Sequence, residues 1–172
     1  MSCNAEITRG FTLDCRDSIG GIRSIMVAEL SAVEDYTVSD GEVTAITLAD
    51  GKNFHKYELR KQTGDFTETI ENNDETGTLY FEQELNFQLT RMEAAKRNEI
   101  FLVAKADVTV IVEDRNGKYW LLGAINGLIL SGNSTSGTAM GDLNGYELTF
   151  TGQEEEPALE VDSDIISDLL SS

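Results

Sequence analysis

The residue types that most often do chemistry are scarce in this chain of 172 residues. It contains one histidine, His55, and two cysteines, Cys3 and Cys15. A nucleophilic triad needs a base, and His55 lies in a strand-like run with basic neighbours and no motif to orient it. One histidine and two cysteines also lack the ligand spacing of a zinc site. We therefore predict two reduced thiols, no metal, no cofactor and no enzymatic activity.

Two acidic turns resemble part of a calcium-binding loop. Asp114-Arg115-Asn116-Gly117 and Asp142-Leu143-Asn144-Gly145 each imitate the middle of an EF-hand loop. Aligning the glycine at the sixth position of that loop puts Gly123 or Thr151 where the closing bidentate glutamate belongs. Both turns are therefore interpreted as hairpin connections.

The charge of the chain limits its partners. Thirteen basic and 31 acidic residues give a formal net charge of −18, which disfavours a nucleic-acid binder that clamps phosphates. No apolar run approaches the ~20 residues of a membrane span, so we expect none. The first ten residues lack an apolar stretch typical of a signal peptide, so none is expected. A hydrophobic content of 40% and a single proline argue against a disordered chain.

Regular turn signals separate short apolar segments along most of the chain. Strands are predicted over residues 22–30, 43–48, 54–60, 65–71, 78–89, 108–113, 118–125, 128–130 and 145–152. The strand at 108–113 is rich in β-branched residues and apolar on both faces. One helix interrupts this series, so we predict a mostly-β (α+β) fold. It would be a β-sandwich or barrel with one flanking α-helix.

The helix is predicted from Arg91 to Lys105. Thr90 and Glu93 fit a capping box at its start. Arg91, Lys96 and Arg97 help to make it the most basic element of an acidic protein. These bases either form a solvated face or meet an acidic surface on a neighbouring subunit. The second alternative predicts an electrostatic contact of these three residues with a neighbouring subunit.

A long two-faced β-hairpin precedes the helix, with strands at 65–71 and 78–89. Its apolar face, interrupted by Gln83, is predicted to contact another subunit and holds Phe66, Ile70, Leu79, Phe81, Leu85 and Phe87. Its polar face holds Thr67, Thr69, Glu71, Glu82, Glu84, Asn86 and Gln88. A strand of this length exceeds the usual 5–6 residues, and its edge would be sticky unless covered. Another copy of the chain could cover it.

We divide the chain into an N-terminal arm (1–19), a β-sandwich domain (20–152) and an acidic C-terminal tail (153–172). The tail has seven acidic residues and no basic one, and Pro157 is expected to end the sheet before it. Its acids alternate with Ile165, Ile166, Leu169 and Leu170. It is therefore either a mobile solubilising tail, which we favour slightly, or a short amphipathic docking segment. Residues 131–144 are predicted to be a flexible loop of small residues.

Four segments carry a resemblance to a known family. They are Leu85–Glu93, Val108–Asp114, Asn116–Gly123 and Asp142–Gly152. In the order of their elements and in their residue patterns they resemble the tail tube proteins (major tail proteins) of tailed bacteriophages and related contractile injection systems. The resemblance covers residues 20–152 and is one of element order, because the family has no strict motif.

The resemblance implies a β-sandwich with a flanking helix. It also implies hexameric rings whose inner surface is a continuous β-barrel, and a tube of stacked rings. The long hairpin would help to join subunits, and its polar face would line the lumen. An acidic lumen repels phosphates, so DNA could pass through without sticking.

On this basis we expect a structural virion protein of the tail, assembled in the host cytoplasm. Its partners would be further copies of itself and other tail proteins, such as a sheath, a terminator or a baseplate hub. Contact with DNA would be transient and independent of its sequence.

Two alternatives remain open. One is another virion component, such as a tail terminator or a head–tail joining protein. The other is a monomeric acidic β-sandwich that binds a carbohydrate or cell-surface ligand. That alternative requires exposed aromatic residues, and Trp120 lies in a strand predicted to be buried on both faces.

Overall fold

The computed structural model of the chain describes residues 6–171 and contains two β-sheets and two short α-helices. The strands are β1 (Ile22–Glu29), β2 (Val33–Ser39), β3 (Glu42–Leu48), β4 (His55–Glu58), β5 (Gly64–Asn73), β6 (Thr78–Thr90), β7 (Val108–Asp114), β8 (Tyr119–Leu122), β9 (Ile129–Thr135), β10 (Gly145–Glu154) and β11 (Leu159–Val161). The helices are α1 (Ala94–Ala104) and α2 (Ile166–Ser171), and 3-10 turns cover Leu30–Ala32 and Ser163–Ile165. The predicted mostly-β, α+β fold class is confirmed.

Sheet A has seven strands in the order β2-β3-β11-β8-β7-β1-β4, and sheet B has four in the order β5-β6-β10-β9. All strand pairs are antiparallel except β11–β3, which is parallel. Strands β2 and β11 were not predicted. Strand β9 continues to Thr135 because it pairs with β10 over its full length, so the expected loop at 131–144 begins later.

The main core lies between the two sheets. Val110 and Val112 of β7 face Leu85 and Phe87 of β6, and Phe150 of β10 completes the contact. The rings of Phe87 and Phe150 stack with centroids 5.5 Å apart. Each sheet therefore has an inner face that water does not reach. The removal of this apolar surface from water is the dominant favourable term in folding.

A second core lies on the opposite face of sheet A. Met26 and Ile111 project from the centre of that sheet, and Phe54 packs beside them. Ile166 and Leu169 of the C-terminal segment cover this face and are themselves only 7% and 5% exposed. Strand β7 is therefore buried on both faces, as its continuous run of apolar and β-branched residues predicts.

The C-terminal segment is part of the folded body, which corrects the interpretation of residues 153–172 as a separate solubilising tail. Strand β10 runs through the predicted boundary to Glu154, and β11 lies between β3 and β8 in sheet A. The amide of Phe54 also donates to the carbonyl oxygen of Leu169 at 3.1 Å. Glu155, Glu156, Asp164 and Asp168 of this segment are exposed, Glu154 is buried, and the apolar residues dock as the amphipathic alternative predicts.

The start of the helix differs from the predicted capping box. Thr90 remains in β6, paired with Gly145, and its hydroxyl accepts from Arg60 Nε at 3.4 Å. Arg91 takes a left-handed conformation (φ 67°), and Glu93 becomes the N-cap without a side-chain cap bond. The helix starts only at Ala94 because Asn144 binds the residues between β6 and the helix. The backbone oxygen of Asn144 accepts from the Arg91 amide at 2.6 Å. Its side-chain oxygen accepts from the Met92 amide at 3.0 Å.

The described part of the N-terminal arm, residues 6–19, has no regular structure and is exposed throughout. Phe11 and Leu13 are 91% and 103% exposed. The arm joins the body through Asn116, whose side-chain oxygen accepts from the Ile19 amide and whose amide group donates to the Ile19 carbonyl, both at 2.9 Å.

Candidate subunit-assembly surface

The outer face of sheet B is a polar surface with one sign of charge. Because its strands pair in regular register, alternate residues of all four strands point to the same side. This face carries Asp65, Thr67, Thr69, Glu71, Tyr80, Glu82, Glu84, Asn86, Gln88, Ile129, Ser131, Asn133, Thr135, Glu147, Thr149, Thr151 and Gln153. It thus has five acidic side chains, no basic one and no fully buried one.

All seven residues predicted to face a lumen lie together on this outer face. Asn86 is fixed there by two hydrogen bonds. Its side-chain oxygen accepts from Thr149 Oγ1 at 2.7 Å, and its amide group donates to Glu84 Oε1 at 3.0 Å. Whether this surface lines a channel remains a prediction.

The six apolar residues predicted to contact another subunit fall into two groups. Leu85 and Phe87 are 0% and 2% exposed within the core of the chain itself, so they are not available to a partner. Sheet A covers them, which the hairpin sequence alone could not reveal. Phe66 and Phe81 are half-buried, and Phe66 packs against the same core.

The remaining two, Ile70 and Leu79, are 65% and 54% exposed. They lie where the hairpin outruns the rest of its sheet, since the pairing of β6 with β10 ends at Phe81 and Glu154. We call residues 70–79 the hairpin tip. It carries three acidic residues and no basic residue beside its two exposed apolar side chains.

Strands β5 and β9 are the edges of sheet B, and among residues 6–171 neither pairs with a further strand, although helix α1 contacts β9. Strands β5 and β9 have ten and seven residues, contain neither proline nor lysine, and pair without a register shift. The Gln88 amide donates to the Thr63 carbonyl at 3.1 Å, which sets the alternation of hydrogen-bonded pairs along β5. The amides of Phe66, Glu68 and Ile70 therefore point away from β6, toward the open edge.

The edges of sheet A are blunted. Strand β4 has four residues and carries Lys56. Strand β2 pairs with β3 through two register shifts, between Val33 and Asp35 and between Thr37 and Val38. Short length, lysine and bulges are the devices by which proteins prevent edge pairing. They are present on one sheet and absent from the other.

Gln83, the exception in the apolar face of the hairpin, is a buried link between the sheets. It is 2% exposed, and its oxygen accepts from the Gly123 amide at 2.9 Å. Its amide group donates to Glu68 Oε2 at 2.9 Å, and the same oxygen accepts from the Ala158 amide at 2.7 Å. The link therefore ties β5 and β6 to sheet A and to the C-terminal segment.

Glu154 forms a second buried link. Its carboxylate accepts from the amides of Ile125 (3.1 Å), Asn126 (2.9 Å) and Gly127 (3.2 Å). Burial raises the pKa of Glu154, while hydrogen bonds from these three amides oppose the rise. Gly152 allows the turn to lie this close, because a Cβ there would be 2.6 Å from the Gly127 oxygen.

The basic residues predicted for an intersubunit contact are placed differently from one another. Arg91 and Arg97 are exposed. Lys96 turns back onto its own chain, where Nζ donates to the carbonyl oxygens of Thr90 at 2.5 Å and Arg91 at 3.4 Å. It also lies 3.7 Å from Glu93 Oε1. Their contact with a partner remains a prediction.

The histidine, the described cysteine and the two acidic turns lie apart from one another. His55 is exposed on β4 and Cys15 on the arm, while Cys3 lies outside the described residues. Asp114 Oδ1 accepts two amides of its own turn at 2.9 Å. Hydrogen bonds from the amides of Ala139 and Thr138 hold the pKa of Asp142 below its ordinary value. Residues 6–171 contain no cluster of three or more histidine, cysteine or acidic side chains suited to a metal ion.

Trp120 is half-buried, which corrects the prediction that its strand is buried on both faces. It lies between Val112 and Glu160 in sheet A, and its Nε1 donates to Asp114 Oδ2 at 3.3 Å. The indole is thus held by its own sheet through a hydrogen bond to a neighbouring turn.

Comparison with protein families, with curated proteins and with solved structures finds no match to this chain. Among residues 6–171, neither helix has the length or the apolar character needed to cross a membrane.

Proposed function

We propose that this protein is a structural subunit that joins copies of itself through sheet B into rings, and that the rings form the tail tube of a virus. The observation that carries the proposal is the contrast between the sheet edges. The edges of sheet A are short or bulged, whereas those of sheet B are long, regular and open. The sequence resemblance to tail tube proteins supplies the biological setting.

The strand directions of sheet B suit repeated joining. Its four strands alternate in direction, so the two edge strands, β5 and β9, run opposite to each other. If copies are related by rotation about one axis, β9 of one copy meets β5 of the next in antiparallel orientation. The alternation then continues from copy to copy, and ring closure leaves no open edge.

A ring of this kind would be hollow. Each copy supplies four strands, so four copies would give the ~16 strands at which known barrels leave an aqueous channel. Six copies, the number that the resemblance implies, would give about 24. With the outer face of sheet B turned inward, each copy would add five acidic side chains and no basic one to the lumen.

Such a lining suits the passage of DNA. Retention of DNA depends on cationic contacts that neutralise phosphates and release counterions. Hydroxyl, amide and carboxylate side chains provide no such contact. A duplex would therefore move through the lumen without a binding site to hold it, which is the task of a conduit in DNA delivery.

The proposal is tested by imaging and sedimentation of the purified protein over a range of concentrations. We expect rings or hollow tubes of one diameter in electron micrographs, with sedimenting masses at a fixed multiple of 18.9 kDa. Labelling of virions with an antibody against the chain should decorate the tail. Monomers of 18.9 kDa at every concentration, together with a glycan-array signal, would instead favour the carbohydrate-binding alternative.

A further inference from the structure

The positive charge of this acidic protein is concentrated at one end of the long hairpin. Residues 52–61 and 91–105 hold eight of the thirteen basic residues and only three of the 31 acidic ones. Their net charge is therefore +5, within a chain of net charge −18. We call these two segments the basic end.

The two segments of the basic end adjoin each other in the fold. Strand β4 and helix α1 together line a cleft of about 230 Å³ whose walls include Tyr57, Val27 and Leu102. Arg60 also reaches the end of β6, where Nε donates to Thr90 Oγ1. Apolar side chains are exposed here among the charges, since Phe101 and Leu102 are each 59% exposed.

The hairpin tip lies at the opposite end of the same element. The basic end adjoins the start of β5 and the end of β6, whereas the tip joins the end of β5 to the start of β6. The thirteen residues of β6 separate the two ends by ~40 Å. The tip combines exposed Ile70 and Leu79 with Glu71, Asp74 and Glu75, and the basic end combines exposed apolar side chains with bases.

We propose that the hairpin tip of one copy docks against the basic end of a second copy, and that this contact stacks one ring on the next. The inference rests on the proposed function, because it assigns the direction of stacking to rings that sheet B closes. Strands of a barrel run at about 35–45° to its axis, so the two ends of the hairpin lie at opposite rims of a ring. Each rim then presents a surface complementary in charge and apolar character to the other.

The contact is head-to-tail, so it can repeat without limit along one axis. Its charges would also set the polarity of the tube, because tip against tip brings acids together and like charges that face each other repel. A tube assembled in this way would have one acidic and one basic end.

Charge reversal on each side tests the contact. The tip variant is Asp74→Lys/Glu75→Lys; the turn survives because Asn73 Oδ1 accepts from the amides of residues 75 and 76. The basic-end variant is Lys56→Glu/Arg97→Glu, at two exposed side chains. A combined variant carries all four changes. The control, Glu34→Lys/Asp164→Lys, makes the same charge change as the tip variant at two exposed residues of β2 and the C-terminal segment, outside the tip and the basic end.

We expect each one-sided variant to form rings of wild-type diameter but tubes at least tenfold shorter, as measured by electron microscopy and sedimentation. The combined variant should restore long tubes, because reversed charges again face each other, and the control should behave as wild type. Wild-type tube lengths in both one-sided variants, or no recovery in the combined variant, would overturn the contact and leave the rings intact. If the wild-type protein forms no rings, the proposed function fails as well.

Two other occupants of the basic end give different results. If the N-terminal arm of a neighbour occupies it, Phe11→Glu/Leu13→Glu would abolish tubes while the tip variant would not. If nucleic acid occupies it, the wild-type protein would retain a fluorescent DNA duplex at low salt and the basic-end variant would not. Either result would overturn the contact with the hairpin tip.

Discussion

The two sheets of this molecule treat their edges and outer faces in opposite ways. The outer face of sheet A is covered by α2, and the C-terminal segment adds strand β11 to the sheet itself. Its edges end in a short lysine-bearing strand and a bulged strand. Within the part of the chain that the structure describes, sheet B leaves one face uncovered and pairs neither edge with a further strand. Sheet A thus serves the folding of one chain, and sheet B offers the surface on which many copies could meet.

The same contrast between covered and uncovered side chains occurs within the long hairpin. At the base of the hairpin, Leu85 and Phe87 are buried by sheet A, while at the tip Ile70 and Leu79 have no cover. The same two-residue alternation runs through both regions. What distinguishes them is the length of the hairpin relative to the sheet beneath it.

The closure of sheet A by the C-terminal segment gives the largest expected effect. Leu169→Ala removes a side chain that is 5% exposed and packs in the core cluster of Phe54 and Met26. We expect the free energy of unfolding to fall by about 2–5 kcal/mol, as for other buried leucines. Chemical denaturation followed by circular dichroism measures it. Asp168→Ala, at an exposed neighbour, should change stability by less than about 0.5 kcal/mol.

A near-wild-type stability for Leu169→Ala would contradict the docked position of the segment. Hydrogen exchange gives a second readout, because β11 joins the β2–β3 hairpin to the rest of sheet A. Amides of β3 should exchange faster in the variant than in the wild-type protein.

The open edge of sheet B gives the second effect. Ile70→Pro removes an amide that points toward the edge, away from β6, so we expect monomer stability to change by about 1 kcal/mol or less. Ring formation should be lost, because the substituted strand cannot donate at that point and the defect recurs at every joint. Sedimentation velocity measures the loss. Ile70→Thr is the matched control, since it keeps the amide; assembly by the proline variant at wild-type concentrations would exclude β5 as the joining edge.

The outer face of sheet B gives a smaller change in stability but a distinct change in behaviour. Glu82→Lys/Glu84→Lys places bases at one half-buried and one exposed position of the outer face. The free energy of unfolding should therefore change by roughly 0.5 kcal/mol per substitution at most. Assembled tubes of this variant should retain duplex DNA in a salt-dependent way, as fluorescence anisotropy can measure. The same change at Glu34 and Asp164, exposed residues outside sheet B, should cause no retention. If it does, the outer face of sheet B is not the lining.

The smallest effect concerns pH and the buried carboxylate of Glu154. Burial raises its pKa above the ordinary 4.5, so the folded chain binds a proton more tightly there than the unfolded chain does. The stabilisation that Glu154 contributes is therefore greatest below pH 4.5 and falls as the pH rises through the pKa of the folded chain. We expect the stability of the wild-type protein relative to Glu154→Gln to decrease over that interval. A difference that is independent of pH would contradict the raised pKa.

Local patterns in the sequence predicted most of the strands, because the faces of a strand are determined by residues that are neighbours in the sequence. The alternation at 78–89 placed the polar residues on one face, and the β-branched run at 108–113 gave a strand buried on both sides. Long-range effects were missed. Strand β11 has three residues and forms only by pairing with β3 and β8, so no local signal marks it.

The candidate surface shows the same limit. Gln83 interrupted the apolar pattern without explanation, and only its bonds to Gly123 and Glu68 reveal it as a link between sheets. A polar residue alone in an apolar face of a strand was the signal that could have indicated this. The capping box at Thr90 failed because Asn144, more than fifty residues away, accepts from the amides of Arg91 and Met92 and so keeps Thr90 in β6.

Hydrogen exchange of the assembled protein, compared with the Ile70→Pro monomer, tests the joining of copies through sheet B most directly. The account predicts that the β5 amides of Phe66 and Glu68 become strongly protected on assembly. The amides of β2, at the bulged edge of sheet A, should exchange equally in both states. Assembled particles in which the β5 amides still exchange freely, or in which β2 becomes protected instead, would contradict it.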